Sequence, residues 1–196
     1  MRKKVLFLFV AVICLILAAV PCAAQPVTNT VKMYLQIDGI KGESTDTPHK
    51  DWIEILSYAD RVHQGYNPAY SPLNMRSYME PDFGSITVTK FVDLSSPKLY
   101  EAACTGKHFK KAQMEVYYKG FMFWMVNLED VVITSMQAQI PEALLVSAAA
   151  SDFPTETVNL NYGKIEWVYT QQKRADGSGG GNTTAKYDLT KTKAAQ

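Results

Sequence analysis

Cysteine is almost missing from the body of this 196-residue chain. There are three, and Cys14 and Cys22 both fall within the first 24 residues, so Cys104 stands alone in the remainder. One thiol forms neither a disulfide framework nor a paired-cysteine metal or redox site, and the simplest expectation for Cys104 is a small buried apolar residue. Histidine is as scarce. His49, His63 and His108 lie far apart, without the close spacing of a metal site. A surplus of charge is missing too. The net charge is +1, and Arg2, Lys3 and Lys4 are the only charges before residue 25, so the rest carries +1 − 3 = −2. A nucleic-acid binder shows a basic surplus, so that class is excluded.

No catalytic set assembles from what remains. His49 and Asp51 are two residues apart in a turn, and Glu129-Asp130 is an adjacent pair whose side chains face opposite ways on a strand. The run Gly177-Ser178-Gly179-Gly180-Gly181 lacks the lysine and following helix of a phosphate loop, which leaves a hairpin tip over Asp176 to Asn182. Asn182-Thr183-Thr184 matches a glycosylation acceptor, a pattern common by chance. The expectation is a protein that is not an enzyme and takes no cofactor and no metal.

What is present begins with a leader. Basic residues 2–4 precede an uncharged apolar run from Val5 to Val20, and Pro21-Cys22-Ala23-Ala24 offers a small-residue cleavage site before Gln25. That is the layout of a cleaved secretory signal peptide over residues 1–24. The run is short for a span of about 20 apolar residues, so no stable membrane anchor is expected. The remaining 25–196 suits one domain, and the 47% of hydrophobic residues in the whole chain suffices for a core.

That body reads mainly as strands. Met33, Leu35 and Ile37 alternate with Lys32, Gln36 and Asp38, a half-buried strand. After turn-rich Gly39–Lys50, the apolar Trp52, Ile53, Ile55, Leu56 and Tyr58 open an extended stretch running to about His63. The segment Gln64–Gly84 is broken by prolines and carries Tyr66, Tyr70 and Tyr78, residues suited to a contact surface. Ser85–Val92 alternates, with Ile86, Val88 and Val92 inward. One helix follows, at about 96–106: Ser96 is placed to cap it, Pro97 suits its first turn, Leu99, Ala102 and Ala103 share a face, and Gly106 stops it before Lys107 and His108, cations placed for the C-terminal dipole. Ala112–Tyr118, the turn Lys119-Gly120 and Phe121–Leu128 form a hairpin. Its second arm is apolar on both faces, which predicts cover on both sides or contact with another subunit, and Phe121, Phe123 and Trp124 join the three tyrosines as candidate self-assembly residues. Glu129-Asp130 is expected to break the run before a further strand, Val131–Gln137, and Ile140–Asp152 is a short helix or an apolar loop.

The sharpest local expectation concerns Thr155–Gln171. Val158, Leu160 and Tyr162 alternate on even numbers, whereas Ile165, Trp167 and Tyr169 alternate on odd ones. A one-residue shift turns every side chain over, and Gly163 stands at the change. The prediction is one long strand bent at Gly163, its halves serving different sheets. Ala185–Leu189 is expected to add a last strand.

Several stretches in order resemble the haemolysin-coregulated protein (Hcp) family, tube proteins of the bacterial type VI secretion system. They are Leu35–Ser44, His49–Ser57, Ile86–Lys90, Ser95–Leu99 with Gly106-Lys107-His108, Thr155–Tyr169 and Tyr187–Leu189; Asn161-Tyr162-Gly163-Lys164-Ile165-Glu166-Trp167 is the most specific. The resemblance implies a β-barrel of two sheets with one α-helix, and hexameric rings that stack into a hollow tube. It also implies the protein itself, a contractile sheath, a spike protein and small effector proteins as partners. Three features depart from the family pattern: the leader, the long Ile140–Asp152 stretch, and Tyr187 where tryptophan is usual. The leader implies a secreted or periplasmic protein; with a different start, the protein is cytoplasmic before injection. Two other readings compete with the tube subunit. One is an exported β-barrel module binding a small ligand or peptide. The other is a hydrolase using His108 or Glu129 and Asp130.

Overall fold

The computed structural model describes residues 31–65, 81–140, 153–172 and 179–191. The leader, Tyr66, Tyr70 and Tyr78, and nearly all of the Ile140–Asp152 stretch lie outside them. Nine strands and one helix follow in order: β1 (Val31–Ile37), β2 (Ile53–Ala59), β3 (Val62–His63), β4 (Asp82–Phe83), β5 (Ile86–Phe91), α1 (Ser96–Thr105), β6 (His108–Tyr118), β7 (Phe121–Gln139), β8 (Thr155–Gln172) and β9 (Gly179–Asp188). All the pairings are antiparallel, in the order β5-β2-β1-β6-β7-β8-β9, and β8 also pairs with β5. That last pairing closes six strands into a barrel and leaves β9 attached outside the circuit. The fold is the mainly β barrel with one helix that the resemblance implies.

The core follows from alternation. Leu35, Ile37, Ile53, Ile55, Ile86, Val88, Val158 and Leu160 fill one interior with Leu99 and Ala102 of α1. The helix begins at Ser96 with Pro97 in its first turn and ends at Gly106, whose φ of 62° is the left-handed conformation glycine adopts without strain. Ser95, not Ser96, is the capping residue, and no side chain caps the helix. Cys104 is exposed, contrary to expectation, because Leu99 and Ala102 set the inward face and Cys104 lies two positions beyond it, about 200° around the helix. His108 does not close the helix; it opens β6.

Three further expectations need correction. The extended stretch from Trp52 ends at Ala59, and β3 pairs with β4 instead. The charged Asp60-Arg61 step turns the chain out of the barrel, where Arg61 meets Asp82 at 2.9 Å and Asp60 accepts from the Trp167 indole at 3.1 Å. The glycine run is not all hairpin tip, since β9 starts at Gly179. A side chain on Gly180 would meet the Gln171 carbonyl at 2.8 Å, so the close approach of β8 requires glycine there. Glu129-Asp130 breaks nothing: β7 runs through it.

Asp130 lets β7 continue by taking φ 55°, and this reverses which residues face inward. Val126 and Leu128 are buried before it, Val131 and Ile133 after it. The same reversal happens beside it in β6, between Phe109 and Ala112, and in β8, between Tyr162 and Ile165. Register aligns the three changes: Lys111 pairs with Glu129 and Phe109 with Val131, while Glu129 pairs with Lys164 and Val131 with Tyr162. The sheet therefore bends along a line through Lys110, Asp130 and Gly163. On one side of the bend β8 pairs with β5 from Thr155 to Leu160; on the other it pairs with β9 from Lys164 to Gln172. The expected change of partner at Gly163 is what the strand does. The odd-numbered alternation stops short of Tyr169, which is 45% exposed although its register partner is Trp124, because the strand pair there runs past the barrel rim.

A side chain at Gly163 would be crowded. A Cβ there would stand 3.2 Å from Asp130 Cβ and 3.3 Å from its Oδ2. Gly163→Val should cost about 1–3 kcal/mol in urea unfolding by overpacking this line. The additional change Asp130→Gly, which removes the opposing side chain, should recover part of that loss. Equal stability of Gly163→Val and the parent would show that the bend tolerates bulk.

Candidate assembly surface

The β6–β7 hairpin turns on Lys119 and Gly120, with φ of 52° and 84°, and the Lys119 ammonium lies 5.4 Å from the centroid of the Tyr118 ring. Phe121 follows, 44% exposed. Val31 pairs with Tyr118, which pairs with Phe121, so exposed Val31, Phe121 and Tyr169 gather at this end of the sheet. Phe123 is half-buried, and Trp124 packs against the core. Of the six residues picked from the sequence, Phe121 is thus an open apolar side chain, Phe123 is partly open and Trp124 serves mainly the interior. Tyr66, Tyr70 and Tyr78 lie outside the described residues.

The outward face of β1, β6, β7, β8 and β9 grades from apolar to charged. Register places Tyr34, Glu115, Met125 and Val168 in one row, and Gln36, Gln113, Asn127, Glu166 and Lys186 in the next-but-one. Lys186 meets Glu166 at 2.9 Å and Lys164 meets Glu129 at 2.9 Å. The Lys186 hydrogen bond, then that from Asn127, holds the Glu166 carboxyl below its ordinary range. Lys164 does the same for Glu129, and Glu129 in return raises Lys164. Two grooves of about 310 and 300 Å³ lie on this face and share Asn127, Glu129 and Glu166.

Two buried polar clusters fix what lies around these surfaces, and neither was singled out in the sequence. In the first, Lys90 is fully buried on the inward face of β5. Its ammonium donates to Glu156 Oε1, Asp93 Oδ1 and the Phe91 carbonyl, each at 2.7 Å. Ser96 donates to the same Glu156 oxygen at 2.7 Å and accepts from the Asp93 N–H at 2.9 Å. One ion cluster thus joins β5, β8 and the start of α1. In the second, His49 lies on the outer face of β1 and β6. Its Nδ1 is 2.6 Å from Asp46 Oδ2 and its Nε2 is 3.0 Å from Glu115 Oε2. Both had a sequence signal. Lys90 and Glu156 fall at inward phase with Val88 and Val158, and Asp46 and His49 are three residues apart.

His108 and Asp130 do come together, at 2.7 Å, but both are exposed, and Glu129 is taken by Lys164. Among the described residues no group of three or more His, Cys, Asp or Glu side chains is placed to hold a metal ion. No described helix is long and apolar enough to cross a membrane.

The described residues build a bent barrel with one helix at its seam, an open apolar hairpin end and an outer face graded from apolar to charged. Comparison with known proteins gives that build a family. Residues 34–169 match the family described as type VI secretion system effector, Hcp. The chain is similar to protein hcp1 of Pseudomonas aeruginosa, with 26% identity over 152 residues that cover 76% of this chain and 88% of that protein. A solved structure of a type six secretion system protein superposes with a TM-score of 0.73 at 27% identity, covering 83% of this chain and 98% of that one. The crystal structure of Hcp1 from Salmonella typhimurium gives 0.65 at 25% identity, covering 82% and 96%. This chain belongs to the Hcp family of type VI secretion proteins.

Removing one partner of a buried ion pair leaves a charge without compensation, a loss of about 3–5 kcal/mol, whereas replacing both with apolar groups is often close to neutral. Lys90→Met should therefore lower the unfolding free energy in urea by about that amount, and Lys90→Met with Glu156→Leu should regain much of it. A double variant as unstable as the single one would show that the cluster does not act as a pair.

Proposed function

We propose that this chain is the repeating subunit of a type VI secretion tube, in which hexameric rings stack into a hollow cylinder. The observation that carries this reading is the family match across residues 34–169, which takes in β1 through most of β8. The subunit acts by shape and contact rather than by catalysis. Its partners are further copies of itself, an enclosing sheath, a spike protein at the tip and small effector proteins in the lumen. A closed ring joins unlike surfaces of neighbouring subunits, and the hairpin end with Phe121 and Phe123, the Gly39–Lys50 loop and the tyrosine-bearing Gln64–Gly84 segment are the surfaces assigned to those contacts. Residues 1–24 act as a cleaved leader that exports the subunit, in keeping with their basic, apolar and small-residue layout.

The protein recovered from its native host tests both parts. Its mass should correspond to a chain beginning at Gln25, and light scattering should give ring-sized particles that lengthen as concentration rises. Phe121→Asp should weaken assembly at least about tenfold, as expected when an apolar contact residue is replaced by a charge, without lowering the melting temperature. A monomer at every concentration contradicts the tube reading, and an intact Met1 contradicts the leader.

A further inference from the structure

The His49 cluster lies in the Gly39–Lys50 loop, and its chemistry is unusual for a loop. His49 is 2% exposed, at the end of the short 3-10 turn Thr47–His49 in the β1–β2 connection. Its ring lies parallel to Tyr34 of β1, centroids 4.0 Å apart and planes 4° apart. Trp52 and Tyr117 meet it edge-on, each at 5.0 Å. Three aromatic rings thus enclose one imidazole, with a carboxylate at each of its nitrogens.

Hydrogen-bond accounting fixes what that imidazole carries. Glu115 takes donors from the Tyr117 hydroxyl at 2.8 Å and from the Gln113 amide at 2.7 Å, besides facing His49 Nε2. A carboxylate so engaged is an acceptor, so Nε2 donates. Nδ1 faces Asp46 Oδ2 at 2.6 Å, a separation typical of a charge-assisted bond. A neutral imidazole donates from only one nitrogen, and the other would set a lone pair against a carboxylate oxygen. A cationic ring also suits the surrounding aromatic faces. The other charged or titratable groups around the ring are the hydroxyls of Tyr34 and Tyr117 and the carboxylate of Glu54, which pairs with Tyr34 across β1–β2. Burial first, then the Asp46 and Glu54 charges, push the Tyr34 hydroxyl up to about 12, so it stays neutral. Tyr117 is likewise raised, by burial and then by Glu115. Both groups in contact with the ring nitrogens are therefore carboxylates.

We propose that His49 is a proton-held latch for the β1–β2 loop, closed while the imidazole carries a proton on both nitrogens and released as rising pH removes the second. The latch closes onto backbone that is already ordered. Gly42 donates to the Asp51 carbonyl at 2.8 Å, Ser44 to the Trp52 carbonyl at 3.0 Å, and Trp52 to the His49 carbonyl at 3.0 Å. Loss of the proton turns one of two carboxylate contacts from attractive to repulsive, and these three bonds are the next to open. The loop also reaches the helix, because Glu43 Oε1 accepts from the Leu94 N–H at 2.9 Å. The latch contacts lie within one subunit, and exchange compared at two protein concentrations separates them from ring contacts of the same loop.

NMR on the full chain reads both halves of the proposal. In ring-¹⁵N-labelled protein at about pH 5, both His49 nitrogens should be protonated. As pH is raised from there, protection of the Gly42, Ser44 and Trp52 amides from hydrogen exchange should fall at least about tenfold relative to the β6–β7 amides once the second proton leaves. His49→Gln keeps a donor but cannot gain a proton, so its loop protection should not change with pH. A ring with one bare nitrogen at the acid end would overturn the proposal. So would loop protection that follows the barrel throughout, or a His49→Gln profile matching the parent. The first two outcomes are read on the unaltered protein and do not depend on how well the variant folds.

Discussion

A lysine ammonium inside a barrel must be met by a carboxylate, and the Lys90–Glu156 pair is the constraint from which the rest of this structure follows. The two residues face one another across the β5–β8 seam, which is the pairing that turns an open sheet into a closed circuit. Asp93 and Ser96 bring the start of α1 to the same ammonium and carboxylate, so the helix is placed by the contact that closes the barrel. Apolar residues would fill the same space. They would not specify one register, because a slip of two residues, the smallest that keeps the same face inward, would put Lys90 against Val158 or Glu156 against Val88 and leave a charge unpaired.

Closing the barrel at β8 sets the problem that the bend solves. A strand with β5 along its first half has no room there for β9, and the two partners divide β8 on either side of Gly163. The change of inward face at Asp130, and its counterparts in β6 and β8, carry the sheet from the part where β8 pairs with β5 to the part where it pairs with β9. The second part holds the open hairpin end and the graded outer face. Outer face and interior are in this way made from the same three long strands, and their orientation to one another is fixed by the bend.

Much of this was legible in the residues. The switch from even to odd numbering at Gly163 located the bend, and Pro97 with Gly106 bounded the helix. The ordered motifs located the family. What escaped did so for identifiable reasons. Glu129-Asp130 looked like a strand end because an adjacent acidic pair also ends strands, and the run before it is apolar on both faces, which hides the change of phase at Asp130. Lys90 sits at inward phase, but charge argues for the surface unless its partner is known, and Glu156 is 66 positions away. His49 looked like an idle turn residue for the same reason, since Glu115 comes to it only through the β1–β6 pairing. Cys104 was expected inside because its neighbours are small; the helix face is set by Leu99 and Ala102. Trp124 belonged to an apolar run whose two faces the sequence could not rank.

The central claim is that the β5–β8 seam, pinned by a buried charge pair, closes the barrel and holds it. Native-state hydrogen exchange at low denaturant measures this directly. If the claim is right, amides of residues 86–91 and 155–160 exchange only with global unfolding, as slowly as those in the centre of β6–β7. If they exchange through a separate, cheaper opening while β6–β7 stays protected, the seam is a late addition to a barrel held elsewhere, and the account is wrong.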